Sequence, residues 1–260
     1  MKKRKIHFSV IYQAILLILM YVPIVVVIMY SFNVSKHTTI WAGWTLDWYR
    51  KLAKNRSLLE ALKNSIVLAC LSSGAAGIIG TLGAVGMARI GGKSKGVIEY
   101  ISMVPIMIPE IILGMVFMAF FAMLSLPFGM LTLVLGHTTF CVPYVFMMVK
   151  SSLVGIDKSL GEAAKDLGAT EIRAFFTITL PLITPAVISG MLLAFAMSLD
   201  DVVISIFVTG AKTNTLPIRI YTQLKSGVTP EINALCTLML AATFVLVVLS
   251  QWLGSVQRKG

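Results

Sequence analysis

Gly161–Pro181 reads GEAAKDLGATEIRAFFTITLP, a long polar interval between two blocks of high hydrophobicity. The run from Ser159 to Leu167 is made of strong helix formers, and Gly168 takes readily to the left-handed conformation that ends a helix. Thr170 is placed to cap a second helix, with Glu171 in its first turn where a negative charge complements the helix dipole. The stretch therefore predicts two short helices about a glycine turn. Glu162-Ala163-Ala164 alone fits an amphipathic hairpin lying in a membrane interface equally well.

The blocks on either side decide the class. Hydrophobic residues make up 57% of the 260, only 13% are charged, and the mean hydropathy is +0.89. Such a balance excludes a soluble domain of this size and predicts an all-α, polytopic membrane protein. The net charge of +11 does not point to nucleic acid, because the basic residues sit in short loops and tails beside apolar runs, where they orient the chain. Cys70, Cys141 and Cys236 each fall inside an apolar run without metal-ligand spacing and read as small buried hydrophobes, so no metal site is expected.

Six spans are expected in one transmembrane domain over residues 1–260, at about 10–30, 62–88, 97–121, 130–149, 182–208 and 234–253. The first is too long for a signal-peptide core and lacks a small-residue cleavage site. Between it and the second, Trp44, Trp48 and Lys51 recur at helical spacing and predict an interfacial helix over 46–53. The second span is crowded with small residues, Gly77 and Gly80 among them, as expected where helix backbones approach closely. After it, Gly92-Lys93-Ser94 imitates a phosphate loop, but Met87 stands where the earlier glycine is required and no strand precedes it. The chain thus carries no ATPase of its own. The third span is interrupted by Pro105 and Pro109 and holds Glu110 near its middle. In the fourth, His137, Cys141 and Tyr144 share one face, where a lone His reads as a satisfied packing residue.

Six spans place both termini on one side. With the N-terminus inside, the inner segments hold Lys2, Lys3, Arg4, Lys5, Arg89, Lys93, Lys95, Lys150, Lys158, Lys165, Arg173, Arg258 and Lys259, thirteen of the 22 basic residues. The positive-inside rule then sets the termini and the 150–181 loop in the cytoplasm.

Glu110, Asp200 and Asp201 lie at membrane depth, where a carboxylate costs about 2.5–3.5 kcal/mol, so they should face the bundle interior or a wet path. On a continuous helix Asp201 falls on the small, polar stripe Gly190, Ala194, Ser198, Asp201, Ser205, while Asp200 falls with Leu193, Met197, Ile204 and Phe207. Asp201 is therefore expected to face the path, and Asp200 a subunit seam or a donor. A purely structural role for these acids calls for a cationic partner, and no Lys or Arg lies deep in any span. A cationic substrate supplies one, with Tyr144 offering a cation-π face.

The full spacing EAA-x3-G-x9-I-x-LP, ending at Ile178, Leu180 and Pro181, resembles the signature loop of the permease subunits of ABC importers, in which a helix, a glycine turn and a second helix dock on a cytoplasmic ATPase. The resemblance implies a type I ABC importer permease fold with a cytoplasmic coupling helix, and assigns Glu162, Ala163, Ala164, Asp166, Gly168, Leu180 and Pro181 to the coupling loop. Ser198-Leu-Asp-Asp-Val-Val-Ile-Ser205, Phe207-Val-Thr-Gly210, Leu216-Pro217 and Val228-Thr-Pro-Glu-Ile-Asn-Ala-Leu235 look like the second permease subunits of spermidine/putrescine importers, as do Ser31-Phe-Asn33 and the acid after Pro109. That similarity implies a non-catalytic subunit in the bacterial inner membrane, a second homologous permease, two ATPase subunits that carry the ATP and Mg, and an extracytoplasmic polyamine-binding protein. The alternatives are an ABC importer of another solute, or a cation channel or secondary transporter without ATP. Against the latter stand the signature loop and the lack of an inverted repeat of broken helices.

Overall fold

The computed structural model describes residues 2–36, 40–90, 93–157, 159–225, 227 and 229–257, with the side chains of 2–9, 89, 93–95, 162, 165, 243 and 245–257 outside that description. The Glu162 carboxylate, Gly91-Gly92 of the Gly-Lys-Ser segment and most of the inner basic residues counted above consequently lie outside the described residues. The helices are α1 (Lys2–Tyr30), α2 (Asp47–Lys54), α3 (Arg56–Arg89), α4 (Lys93–Met107), α5 (Glu110–Met123), α6 (Met130–Val154), α7 (Ser159–Asp166), α8 (Glu171–Ala174), α9 (Leu180–Asp200), α10 (Val203–Val208), α11 (Leu216–Leu224) and α12 (Pro230–Gln257), with a π-helical turn, Phe175–Thr179, joining α8 to α9. No strand occurs among the described residues.

Val10–Tyr30, Arg56–Ala88, Met130–Val154 and Glu171–Asp200 are long and apolar enough to cross a membrane. Gly96–Met107 and Glu110–Met123 are apolar enough only as a pair, and they are bent by 101°. Of the two prolines expected to interrupt the span over 97–121, Pro109 is the one at which the helix stops. Proline drives the residue before it out of the helical region and offers no N–H, so the chain leaves the helix at Ile108, runs extended through Pro109 (φ −54°, ψ 133°) and restarts at Glu110. Glu110 is the first residue of a helix, not the middle of one.

The segment 182–208 is not one continuous helix, because α9 ends at Asp200 and Asp201 is extended (φ −67°, ψ 126°). The Asp201 carboxylate accepts the N–H groups of Ile204 (3.2 Å) and Ser205 (2.8 Å), an Asp-to-backbone arrangement that competes with helix continuation. The short helix expected over 46–53 runs over Asp47–Lys54, with Trp44 ahead of it, and the polar connection after Val208 contains α11.

The chain packs as two compact units, 1–59 with 220–260, and 60–219. In the first, α1 and α2 both pack on α12. The α1–α2 connection is organised by buried Asn33, whose Nδ2 donates to Ile40 O (2.7 Å), whose Oδ1 accepts from Ala42 N (2.9 Å), and whose carbonyl accepts from Trp48 Nε1 (2.7 Å). Asn55 Nδ2 donates to Glu231 Oε1 at 3.0 Å.

In the second unit α6 is central, with α9, α4, α5 and α10 packed on it. Leu133, Val145, Val149, Ile183, Ile204 and Val208 form its interior. Small residues set the spacings, as dispersion-driven packing in lipid requires. A Cβ on Gly80 would lie 2.9 Å from Val145 Cβ and 3.0 Å from Phe146 N, and one on Gly190 would lie 3.1 Å from Val145 Cα. A Cβ on Gly77 meets only the flexible Met191 side chain. These approaches are to the chain's own α6 and α9. Where α10 ends, the Thr132 hydroxyl donates to Val208 O at 2.7 Å, and Gly210 leaves no room for a Cβ, which would sit 2.1 Å from Phe128 O.

Candidate functional site

Both interruptions of the apolar helices meet at one cavity of about 490 Å3, lined by Glu110, Phe140, Ala196, Met197, Asp200, Asp201, Val202 and Val203. Glu110 opens α5 and Asp200 closes α9, and both are exposed. Neither carboxylate has a hydrogen-bond or ion-pair partner among the described residues. Phe140 and Met197 supply apolar wall between polar ends, the composition expected of a small-molecule site. Tyr144, half-buried on α6 one turn beyond Phe140, packs against the core and is not among the lining residues.

Asp201 behaves differently from its neighbour, and the premise that set it on the path, a helix running through it, does not hold. Its side chain is only 6% exposed, and besides the two backbone N–H groups its Oδ2 stands 3.3 Å from His137 Nε2. That nitrogen is also 3.0 Å from Ser205 Oγ, while Nδ1 is 2.8 Å from Ser198 Oγ, which accepts from Ser72 Oγ at 2.9 Å. Ser72, His137 and Ser205 are completely buried. Ser198, Asp201 and Ser205 thus all meet His137 of α6, while Asp201 also contributes to the cavity wall. His137 is the satisfied packing residue expected of it, and it is also the partner that a search restricted to Lys and Arg overlooked. The signal was available: a histidine at mid-span must find polar company, and serines on two other spans were the candidates.

The Gly161–Pro181 stretch folds as its composition predicts. The Ala169 N–H bonds Ala164 O at 3.0 Å around Gly168, whose φ is +82°, the six-to-one bond that closes a helix on a left-handed glycine. Thr170 Oγ1 accepts from Arg173 N at 3.3 Å and caps α8. Ser159 N–H, 2.9 Å from Asp157 Oδ1, holds that carboxyl below its usual pKa ahead of α7. Ala163 and Asp166 face outward, Ala164 is buried, and Leu180 and Pro181 begin α9. Leu167 and Ile172 project as large apolar side chains, 88% and 72% exposed, on either side of the turn. Lys150, near the end of α6, pairs with Glu99 of α4.

Residues 76–258 match the family described as "Binding-protein-dependent transport system inner membrane component". The putrescine transport system permease protein PotI of Escherichia coli K12 is 43% identical over 231 residues, covering 86% of this chain and 82% of that protein. The spermidine/putrescine transport system permease protein PotC of the same strain is 41% identical over 241 residues, covering 93% and 91%. Among solved structures, a chain of a bacterial ABC transporter involved in the import of the acidic polysaccharide alginate superposes with a TM-score of 0.77 over 96% of both chains at 13% identity, a likeness of fold.

Proposed function

Because the chain belongs to the family of binding-protein-dependent transport system inner membrane components, we propose that it is a permease subunit of an ATP-driven importer of polyamines such as putrescine and spermidine. The observation that carries the substrate class is the pair of carboxylates, Glu110 and Asp200, that open on one cavity with no cation beside them among the described residues. A polyamine entering a low-dielectric space sheds hydration from its ammonium groups, and each must be offset by a carboxylate, an aromatic face or a carbonyl. Few acids suffice, since the cargo must also leave.

In this reading the chain is a single multi-pass domain in the inner membrane. Six spans are α1, α3, the bent α4–α5 pair, α6, α8 through α9, and α12, with both termini and the α7–α8 hairpin cytoplasmic. A second, homologous permease completes the path and an extracytoplasmic binding protein delivers the polyamine. Two ATPase subunits bind ATP and Mg, and the hairpin docks on an ATPase subunit, to which Leu167 and Ile172 offer apolar contact and Glu162 a charge. The chain itself is non-catalytic and holds no cofactor. In vesicles containing the assembled transporter, polyamine uptake is expected to require internal ATP and to survive collapse of ion gradients. Uptake sustained by an ion gradient without ATP overturns the assignment.

The hairpin has its own test. Gly168→Val places a β-branched residue at φ +82°, a strain of about 1–2 kcal/mol that the turn can relieve only by re-aiming its two helices. The chain is expected to reach the membrane at normal abundance yet lose most uptake, as is Glu162→Lys, which reverses a charge at the contact. Wild-type uptake by both variants, measured at matched abundance, removes the coupling role.

A further inference from the structure

We propose that His137 is a positioning residue for the acid-lined face: acting through Asp201, it locks the α9–α10 break in the geometry that turns Asp200 into the cavity with Glu110. The inference rests on the cation-binding reading of that cavity. The two aspartates are consecutive, so the backbone that directs one directs the other. Asp201 is the extended residue between the helices, and its carboxylate is held from two directions, by the Ile204 and Ser205 N–H groups of its own α10 and by the imidazole of α6. The backbone bonds tie Asp201 to α10, and among the described residues the imidazole is what ties its carboxylate to another span.

The donor and acceptor pattern gives that tie a direction. An ionised carboxylate only accepts, so His137 carries hydrogen on Nε2, which leaves Nδ1 to accept from the Ser198 hydroxyl 2.8 Å away. Ser198 in turn accepts from Ser72 of α3 at 2.9 Å. One ring thus bridges the last turn of α9 through Ser198 and the start of α10 through Asp201 and Ser205, spanning the break at the cavity wall to which Asp201 itself contributes. Buried and satisfied at both nitrogens, it fixes the angle between the two helices. Without it the Ser198 and Ser205 hydroxyls and the Asp201 carboxylate lose the partner they share, the carboxylate keeps only the two N–H groups of α10, and it gains by rotating toward the cavity, drawing Asp200 out of register.

The test uses the complete transporter reconstituted with its ATPase subunits and binding protein, and reads polyamine imported per ATP hydrolysed. That ratio is insensitive to how much active complex is present, so a merely structural defect does not move it. His137→Phe, similar in volume and without hydrogen bonds, is expected to lower the ratio about tenfold. In an Asp200→Asn background the same substitution should change nothing further, because the residue it positions no longer carries charge. His137→Gln, which keeps one of the two bonds, should restore part of the ratio, and it serves as the test variant if His137→Phe fails to assemble. An unchanged ratio in His137→Phe or, failing assembly, in His137→Gln overturns the proposal, as does an equal further fall in the Asp200→Asn background. If Asp200→Asn and Glu110→Gln themselves leave the ratio at the wild-type value, the cation-binding reading fails and the positioning role falls with it. If those two lower it and the His137 variants do not, only the positioning role is lost.

Discussion

Asp200→Asn is expected to lower polyamine uptake about tenfold while basal ATP hydrolysis and membrane abundance stay near wild type. Asparagine keeps the shape of the side chain and removes its charge, and the group is exposed at the cavity wall, so nothing in the packed interior depends on it. Solvent screening at an open face limits the loss to about 1.4 kcal/mol, well short of the cost of breaking a buried pair. Glu110→Gln should act in the same direction, because its carboxylate looks into the same cavity. Asp200→Glu, which retains the charge, should recover a substantial part of the uptake. Wild-type transport of both putrescine and spermidine by Asp200→Asn and by Glu110→Gln, at matched abundance, would remove the link between this cavity and a cationic substrate.

Gly80→Leu is expected to abolish accumulation of the folded chain rather than to alter transport by molecules that do fold. A Cβ at this position already lies 2.9 Å from Val145 Cβ, 3.0 Å from Phe146 N and 3.1 Å from Val142 O, so α3 can accept a side chain only by moving off α6. Two of those atoms belong to backbone and cannot rotate away. Overpacking of this kind costs about 1–3 kcal/mol for extra methylenes with some freedom to adjust, and more where backbone blocks the way. Gly77→Leu should be milder, since the nearest atoms belong to the flexible Met191 side chain. The readout is the amount of detergent-extractable monodisperse chain. Normal yield of Gly80→Leu, with co-purification of a second permease as the only casualty, would move this contact from the chain's interior to a subunit interface.

The Gly161–Pro181 stretch was legible because everything that shapes it is local. A run of helix formers, a glycine able to take positive φ and a threonine three residues before the N–H it caps need no distant partner, and each took the expected role. The apolar runs were legible for a similar reason, since about 30 Å of hydrocarbon imposes a length on any helix that crosses it. The acids were harder to read. Helical periodicity separated Asp200 from Asp201 as residues with different surroundings, but it extended α9 past its end and so left out the imidazole and the two N–H groups that hold Asp201 at the cavity wall.

By itself, then, the sequence determined a multi-pass, helical membrane protein, the family whose signature it carries, the hairpin between α6 and α9, and the three carboxylates on which the substrate question turns. Only the tertiary structure decided where the helices stop and which acid is free. Pro109 removes a donor and turns α4–α5 through 101°, which brings Glu110 to a helix start beside the end of α9. Asp201 leaves the helix because Ile204, Ser205 and a histidine 64 positions earlier in the chain satisfy its carboxylate better than a helical turn does. That choice depends on a contact between residues far apart in sequence, and no local propensity records it. Asp200 is left facing the cavity as the consequence.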